Sequence, residues 1–222
     1  MTAKTRPRRT TPPALPASAP DIDDMPHVSD RQRQIYVEAA RLFVEKGFAA
    51  TSMSDIAEAV QITKAGLYHF VESKEDLLFT IMNYSMDRLH LDVIAPALAV
   101  DEPLERLKVI IRNHALNVGR VTLASGSPLS IVVDEPQGLS RRNRKIIDDR
   151  KRLYFDLLRD TLRALQADGR LSPKADPTVV AFTIIGMIMW IARWRRSDGK
   201  YSLEQVADEI QRLALTGALK PA

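Results

Sequence analysis

From residue 29 onward, apolar side chains recur at intervals of three and four and nowhere alternate for long, which predicts an all-α chain. Ile35, Ala39, Leu42 and Phe43 share one face of a first helix that Gly47 ends. Two short helical patterns follow. Ser54 is expected to cap one whose inward face is Ile56, Ala57 and Val60. Thr63 caps the next, with Leu67 and Phe70 inward and Lys64, Ala65, Tyr68 and His69 outward. Ser73 starts a longer helix with Glu75 and Asp76 in its first turn, and Leu78, Ile81, Met82, Tyr84 and Leu89 carry it to Pro96.

The rest of the chain reads as helix too. Leu104, Leu107, Ile111, His114 and Val118 form a stripe, and Gly126, Pro128, Pro136 and Gly138 break the pattern over 124–140. A long helix fills 140–167 until Asp168 and Gly169 stop it; another runs from Asp176 or Pro177 to Arg195. Ser202 caps the last, with Val206, Ile210 and Leu213 on one face. Residues 1–28 hold six prolines and little periodicity, as a flexible tail does. The expected organisation is a tail at 1–28, a three-helix domain at 29–75 containing a helix-turn-helix, and a helical domain at 76–222.

The helix after Thr63 is too polar for a core element and carries small and hydrogen-bonding residues at its tip. A short helix of that kind, held by its neighbour, is what a DNA major groove admits. Thr63 is placed to bond a phosphate or a base edge, and Lys64 and Tyr68 to clamp phosphates. Ala65 and Gly66 permit close approach, and His69 reaches a base or phosphate. Thr51, Ser52 and Lys74 are expected as further backbone anchors. The plain alternatives are a packed aromatic with an exposed hydroxyl for Tyr68 and a solvated charge for Lys74.

The same stretch resembles the TetR family of transcriptional regulators. Ile56, Ala57, Ala59, Ile62, Thr63, Leu67, Tyr68, Ser73, Lys74 and Leu77 match the family's signature, and the preceding AARLFVEKGFAATSMSDIA matches as well. The likeness covers residues 30–80; beyond them only the helical architecture carries over. Two positions depart from the pattern. Gln61 stands where the family has its turn glycine, and Val71 replaces a common aromatic. The resemblance implies a homodimer through the last two helices, a double-stranded DNA operator, and a small hydrophobic effector bound after the reading head. The region 186–217 also looks like TetR-type regulators of lipid or acyl-CoA metabolism.

Composition changes this picture only at its edges. Among 222 residues there is no cysteine, which excludes disulfides, thiol catalysis and zinc–cysteine sites. No phosphate-binding glycine loop, nucleophile elbow or H-E-x-x-H appears, so neither an enzyme nor a cofactor is expected. The four histidines are scattered and are read as ordinary side chains, not as metal ligands. The net charge of +4 permits nucleic-acid binding without arguing for it, because residues 29–80 hold six Lys/Arg against eight Asp/Glu. The tail's Lys4, Arg6, Arg8 and Arg9 read either as an arm reaching DNA or, preferably, as a solvated segment. With no apolar signal segment, a cytoplasmic location is expected.

The run 179–192 is apolar for 14 residues, short of the about 20 a bilayer needs, so a buried helix is expected rather than a membrane span. A helix apolar on nearly all sides needs cover on nearly all sides, and a second copy of the chain supplies the outer half. Effector contacts are assigned to His114, Asn117, Arg120, Tyr154, Met187 and Trp190, with Phe155 beside them. The basic run Arg141, Arg142, Arg144, Lys145, Arg150, Lys151, Arg152 reads as a solvated face or as a phosphate-binding mouth for an acyl-CoA. The expected function is that of a repressor released by its effector. The alternatives are an effector-independent nucleoid-associated or division-control DNA-binding protein, and an enzyme or carrier with a helical domain.

Overall fold

The structure is a computed structural model that describes residues 29–123, 138–195 and 199–219. The proline-rich tail and most of the loop-rich stretch at 124–140 lie outside those residues. The expected all-helical architecture is present, and among the described residues the one extended pairing is an isolated antiparallel bridge between Leu171 and Leu219.

Helix α1 (Asp30–Lys46) opens on a capping box between Ser29 and Gln32 and ends at Gly47, whose φ is 84°. Helix α2 (Met53–Ala59) is capped by Ser52, not by the expected Ser54. The reason is local. With Ser52 at the cap, the third helical residue is Asp55, whose carboxylate reaches back to the Ser52 N–H at 2.8 Å. With Ser54 at the cap that position would fall to Ala57, which has nothing to return. The turn to α3 (Lys64–Leu67) places Gln61 at φ 56°, the left-handed conformation its departure from glycine implied. Gln61→Gly should therefore raise stability by about 0.5–1 kcal/mol. The check is the midpoint of urea unfolding, with the slope unchanged.

Helix α4 (Lys74–Leu89) starts at Ser73, and the chain stays helical beyond the Pro96 expected to end it. A π-turn at His90–Ile94 leads directly into α5 (Ala95–Leu98). Pro96 has no N–H to give the Asp92 carbonyl one turn back. Asn113 of α6 (Pro103–Leu123) donates its side-chain amide to that oxygen instead, at 2.9 Å. The proline thus marks a change of helical pitch and not a stop.

Helix α6 is central, packing against α5 and the π-turn, against α7 (Arg141–Ala167) and α8 (Pro177–Trp194), and against α9 (Leu203–Ala218). Gly119 lets α6 and α9 meet, because a Cβ there would lie 2.0 Å from Leu203 Cδ1. Ile35, Leu67, Leu78, Ile110, Leu158 and Ile188 belong to one continuous core running from the first helix to the last pair.

Candidate functional site

The two short helices are fixed to their scaffold by bonds that leave one surface free. Arg31 donates to the Val60 carbonyl at 2.7 Å, holding the turn before α3 against α1. Lys46 pairs with Asp55 at 2.9 Å and ties the end of α1 to α2. Leu67 is fully buried under α3, while Thr63, Lys64, Ala65 and His69 are exposed and Tyr68 is 48% exposed. The Thr63 hydroxyl accepts the Gly66 N–H at 2.9 Å. A Cβ on Gly66 would crowd that oxygen at 3.2 Å, so glycine serves the cap as well as the open surface.

Charge on this head is sharply localised. Five of the six cations in 29–80 are engaged: Arg31 as above, Arg33 with Asp30, Arg41 with Glu38 and Glu45, Lys46 with Asp55, and Lys74 with backbone carbonyls. Lys64 alone has no hydrogen bond or ion pair among the described residues. A segment that is net negative still presents one free positive charge, beside the exposed phenol of Tyr68.

Two expected anchors depart from the reading. Thr51 is 1% exposed, and its hydroxyl is shared between the carbonyls of Gly47 at 2.9 Å and Leu42 at 3.2 Å. It closes the end of α1. Lys74 donates to the carbonyls of Phe48 at 2.7 Å and Thr51 at 2.8 Å, and its ammonium lies 4.3 Å from the centre of the Phe48 ring. It fastens the start of α4 to the α1–α2 turn. Ser52 is exposed, but its hydroxyl bonds the Asp55 carboxylate. Lys74→Met is expected to lower the melting temperature by several degrees, through loss of the ammonium's bonds to the Phe48 and Thr51 carbonyls, and to leave the salt dependence of DNA binding unchanged. Thermal melts and salt titrations separate the two.

Behind the head, α4, α6, α7 and α8 line an open cavity of about 560 Å³. Met86, Leu89, Val118, Phe155, Ile185 and Met189 give it an apolar body; Lys151, Arg152 and Arg159, with Asp148 and Asp156, contribute charge to its lining. Of the expected effector contacts, His114, Asn117, Tyr154 and Phe155 line it. Arg120, Met187 and Trp190 do not. Phe182, Ile185 and Met189 occupy the cavity-facing side of α8, which turns Trp190 outward to 64% exposure. Met187 packs against the core, and Arg120 lies near Glu204 of α9, whose carboxyl is held below the usual range first by a backbone N–H and in smaller part by the charge of Arg120. Ser85, Met86 and Leu89 went unforeseen, because no sequence signal says which side of α4 faces a void.

The cavity's lining is polar at Asn117 and at the His114–Tyr154 pair. Asn117 donates Nδ2 to the Asp92 carboxylate of the π-turn at 3.0 Å, and that carboxylate also pairs with Arg88. The Tyr154 hydroxyl and His114 Nδ1 lie 2.7 Å apart. Burial pushes the imidazole down to about 4 and the phenol up, so both are neutral near pH 7. An unfolded His114 has its ordinary value near 6.5, so the unfolded chain binds a proton that the folded one refuses. Stability is then fully present above about pH 6.5 and falls as pH drops toward 4, by about 3 kcal/mol from this residue. Denaturation series at pH 7.5, 5.5 and 4.5 should show a smaller fall for His114→Phe.

The comparisons agree with this geometry. Residues 100–218 match the tetracyclin repressor-like C-terminal domain, and residues 35–81 match the bacterial regulatory proteins of the tetR family. The chain belongs to the TetR family. The repressor KstR2 of Rhodococcus jostii is 30% identical over 207 residues, covering 91% of this chain and 98% of that one. A crystal structure of AibR with isovaleryl coenzyme A and operator DNA is 39% identical, covers 82% of this chain and 97% of that one, and has a TM-score of 0.72. The ketosteroid regulator KstR2 of Mycobacterium tuberculosis is 26% identical over 88% of this chain and 98% of that one, with a TM-score of 0.77. This TetR-family chain is therefore a helix-turn-helix transcriptional regulator and not an enzyme. Its N-terminal helices are the helix-turn-helix DNA-binding domain and its C-terminal helices are the ligand-binding domain.

Proposed function

We propose that the protein is a homodimeric repressor that holds a pseudo-palindromic operator with two copies of the α2–α3 head and leaves it when an apolar, anionic effector of the coenzyme A thioester class fills the cavity. The observation that carries this reading is that one helix serves both sites. Helix α4 starts at the reading head, where Lys74 fastens it, and lines the cavity through Ser85, Met86 and Leu89. An effector that favours one placement of α4 biases the spacing of the heads, by as much as its affinity differs between the two placements.

The roles at the head follow from exposure. Lys64 and Tyr68 bind phosphates, Thr63 and His69 reach a phosphate or base edge, and Ala65 and Gly66 let the backbone approach. Ser52 adds a hydroxyl beside them. The homodimer forms across α8 and α9, where Val179, Trp190, Trp194 and Leu213 are exposed apolar residues. Helix α8 is long and apolar enough to span a membrane, yet Ala181, Ile184, Ile188 and Ile191 are buried within the bundle. Its open face suits a second copy and not lipid. Acting on chromosomal DNA, the protein works in the cytoplasm.

The effector class is supported by the cavity's apolar body, by the cations along its lining, and by the AibR complex with isovaleryl coenzyme A. Of the basic run, Lys151 and Arg152 reach the cavity; Arg150 instead ties α7 to Asn83 and Asp87 of α4. Effector-independent binding is disfavoured by a cavity that is open and not filled by side chains. The test is anisotropy of a labelled operator titrated with coenzyme A thioesters of four to sixteen carbons. Release by at least one of them, and none by free coenzyme A, is expected; operator affinity unchanged across the series would refute the reading.

A further inference from the structure

The His114–Tyr154 pair leaves one hydrogen-bond donor without a partner. A neutral imidazole carries one N–H and a phenol one O–H, and the 2.7 Å bond between them uses one of the two. Either tautomer leaves the other donor over: His Nε2–H if the phenol donates, the phenol O–H if the imidazole does. Both side chains line the cavity, at 5% and 4% exposure, and neither makes another hydrogen bond among the described residues. The neighbouring inner groups are engaged, since Ser85 donates to the Ile81 carbonyl at 3.0 Å and Asn117 directs its amide nitrogen at Asp92. The spare donor faces the cavity, where a ligand that brings an acceptor makes the bond and one that brings only hydrocarbon displaces solvent and leaves the donor unpaired, at a cost.

Resting on the effector-cavity reading above, we infer that the His114–Tyr154 pair is a recognition site for a carbonyl oxygen carried inside the apolar body of the effector. The cavity selects a ketone, ester or thioester placed at that depth over a plain hydrocarbon of the same length. A site built to bond an oxygen rejects the analogue that lacks it more strongly than an apolar wall rejects an extra oxygen. The pair therefore sets the selectivity of the site, while the hydrocarbon walls set its reach.

The test uses decanoate and its 3-, 5-, 7- and 9-oxo derivatives, measured by titration calorimetry against the full-length protein. Each oxo acid is less apolar than decanoate, so hydrophobicity alone ranks decanoate first. The wild type is expected to bind at least one oxo acid about tenfold more tightly than decanoate. The double variant His114→Phe/Tyr154→Phe replaces both polar groups with rings of similar shape, keeps or raises the melting temperature, and restores decanoate to first place. Decanoate ranked first in the wild type overturns the inference. So does an oxo advantage that survives in the double variant, or no binding of any member at millimolar concentration. Should the double variant fail to fold, the wild-type ranking decides alone. Operator release by coenzyme A thioesters is scored separately, so that reading and this one fail in different measurements.

Discussion

Replacing Lys64 and Tyr68 together by alanine is expected to weaken operator binding by two to three orders of magnitude without changing the fold or the dimer. Each protomer loses two phosphate contacts, hence four per complex; at about 1 kcal/mol each, this totals about 4 kcal/mol, or roughly a thousandfold. Lys64 carries the larger share, as the head's free cation. Loss of one charge per protomer should also lower the slope of log affinity against log salt by about 2. Neither side chain supports the core: Tyr68 is half exposed and Lys64 lies on the surface, while Leu67 between them holds α3 down. The melting temperature should therefore stay within a degree or two, and sedimentation should show the parent mass. Unchanged affinity would mean that another face of the head meets the duplex.

Trp190→Glu is expected to dissociate the dimer and, through that alone, to abolish detectable operator binding at nanomolar protein. The indole is 64% exposed in one chain and sits on the outer side of α8, so its loss leaves no void within the protomer. At a twofold interface the two copies of one residue lie close, and two carboxylates there are repelled and stripped of water. A monomer retains one head and one half-site. Losing the linked second contact costs about 10² to 10⁴ in affinity. Sedimentation at micromolar protein reads the first effect and anisotropy the second. A stable dimer in this variant would move the interface away from α8.

The reading head was legible in the sequence because its determinants are local. Thr63 caps α3 within one turn, Leu67 and Lys64 diverge by helical geometry, and Gln61 betrayed a left-handed turn by standing where glycine belongs. The errors there have a single physical source. Lys74 and Thr51 make bonds to backbone carbonyls, and those of Lys74 lie 23 to 26 residues away, a distance no periodicity reports. The charged and hydroxyl-bearing side chains that looked like anchors for DNA instead brace the scaffold that presents Lys64.

The C-terminal half was less legible. A stripe predicts that one side of a helix is buried, but not whether it meets core, cavity or a second subunit. His114, Asn117 and Tyr154 line the cavity, and their polarity inside an apolar stripe was a sign that they needed partners. Trp190 was misplaced because an all-apolar helix carries no such marker, and the indole faces outward. Pro96 was read as a helix stop because its missing N–H is visible in the sequence, whereas the Asn113 amide that replaces it belongs to another helix.

The most direct measurement is selection of bound sequences from random duplex DNA by the full-length protein. The expected product is an inverted repeat whose half-site centres are separated by about one helical turn or a multiple of it, as two symmetric heads require. Enrichment of a single unrepeated site, or of no sequence at all, would contradict the claim that paired α2–α3 heads read the operator.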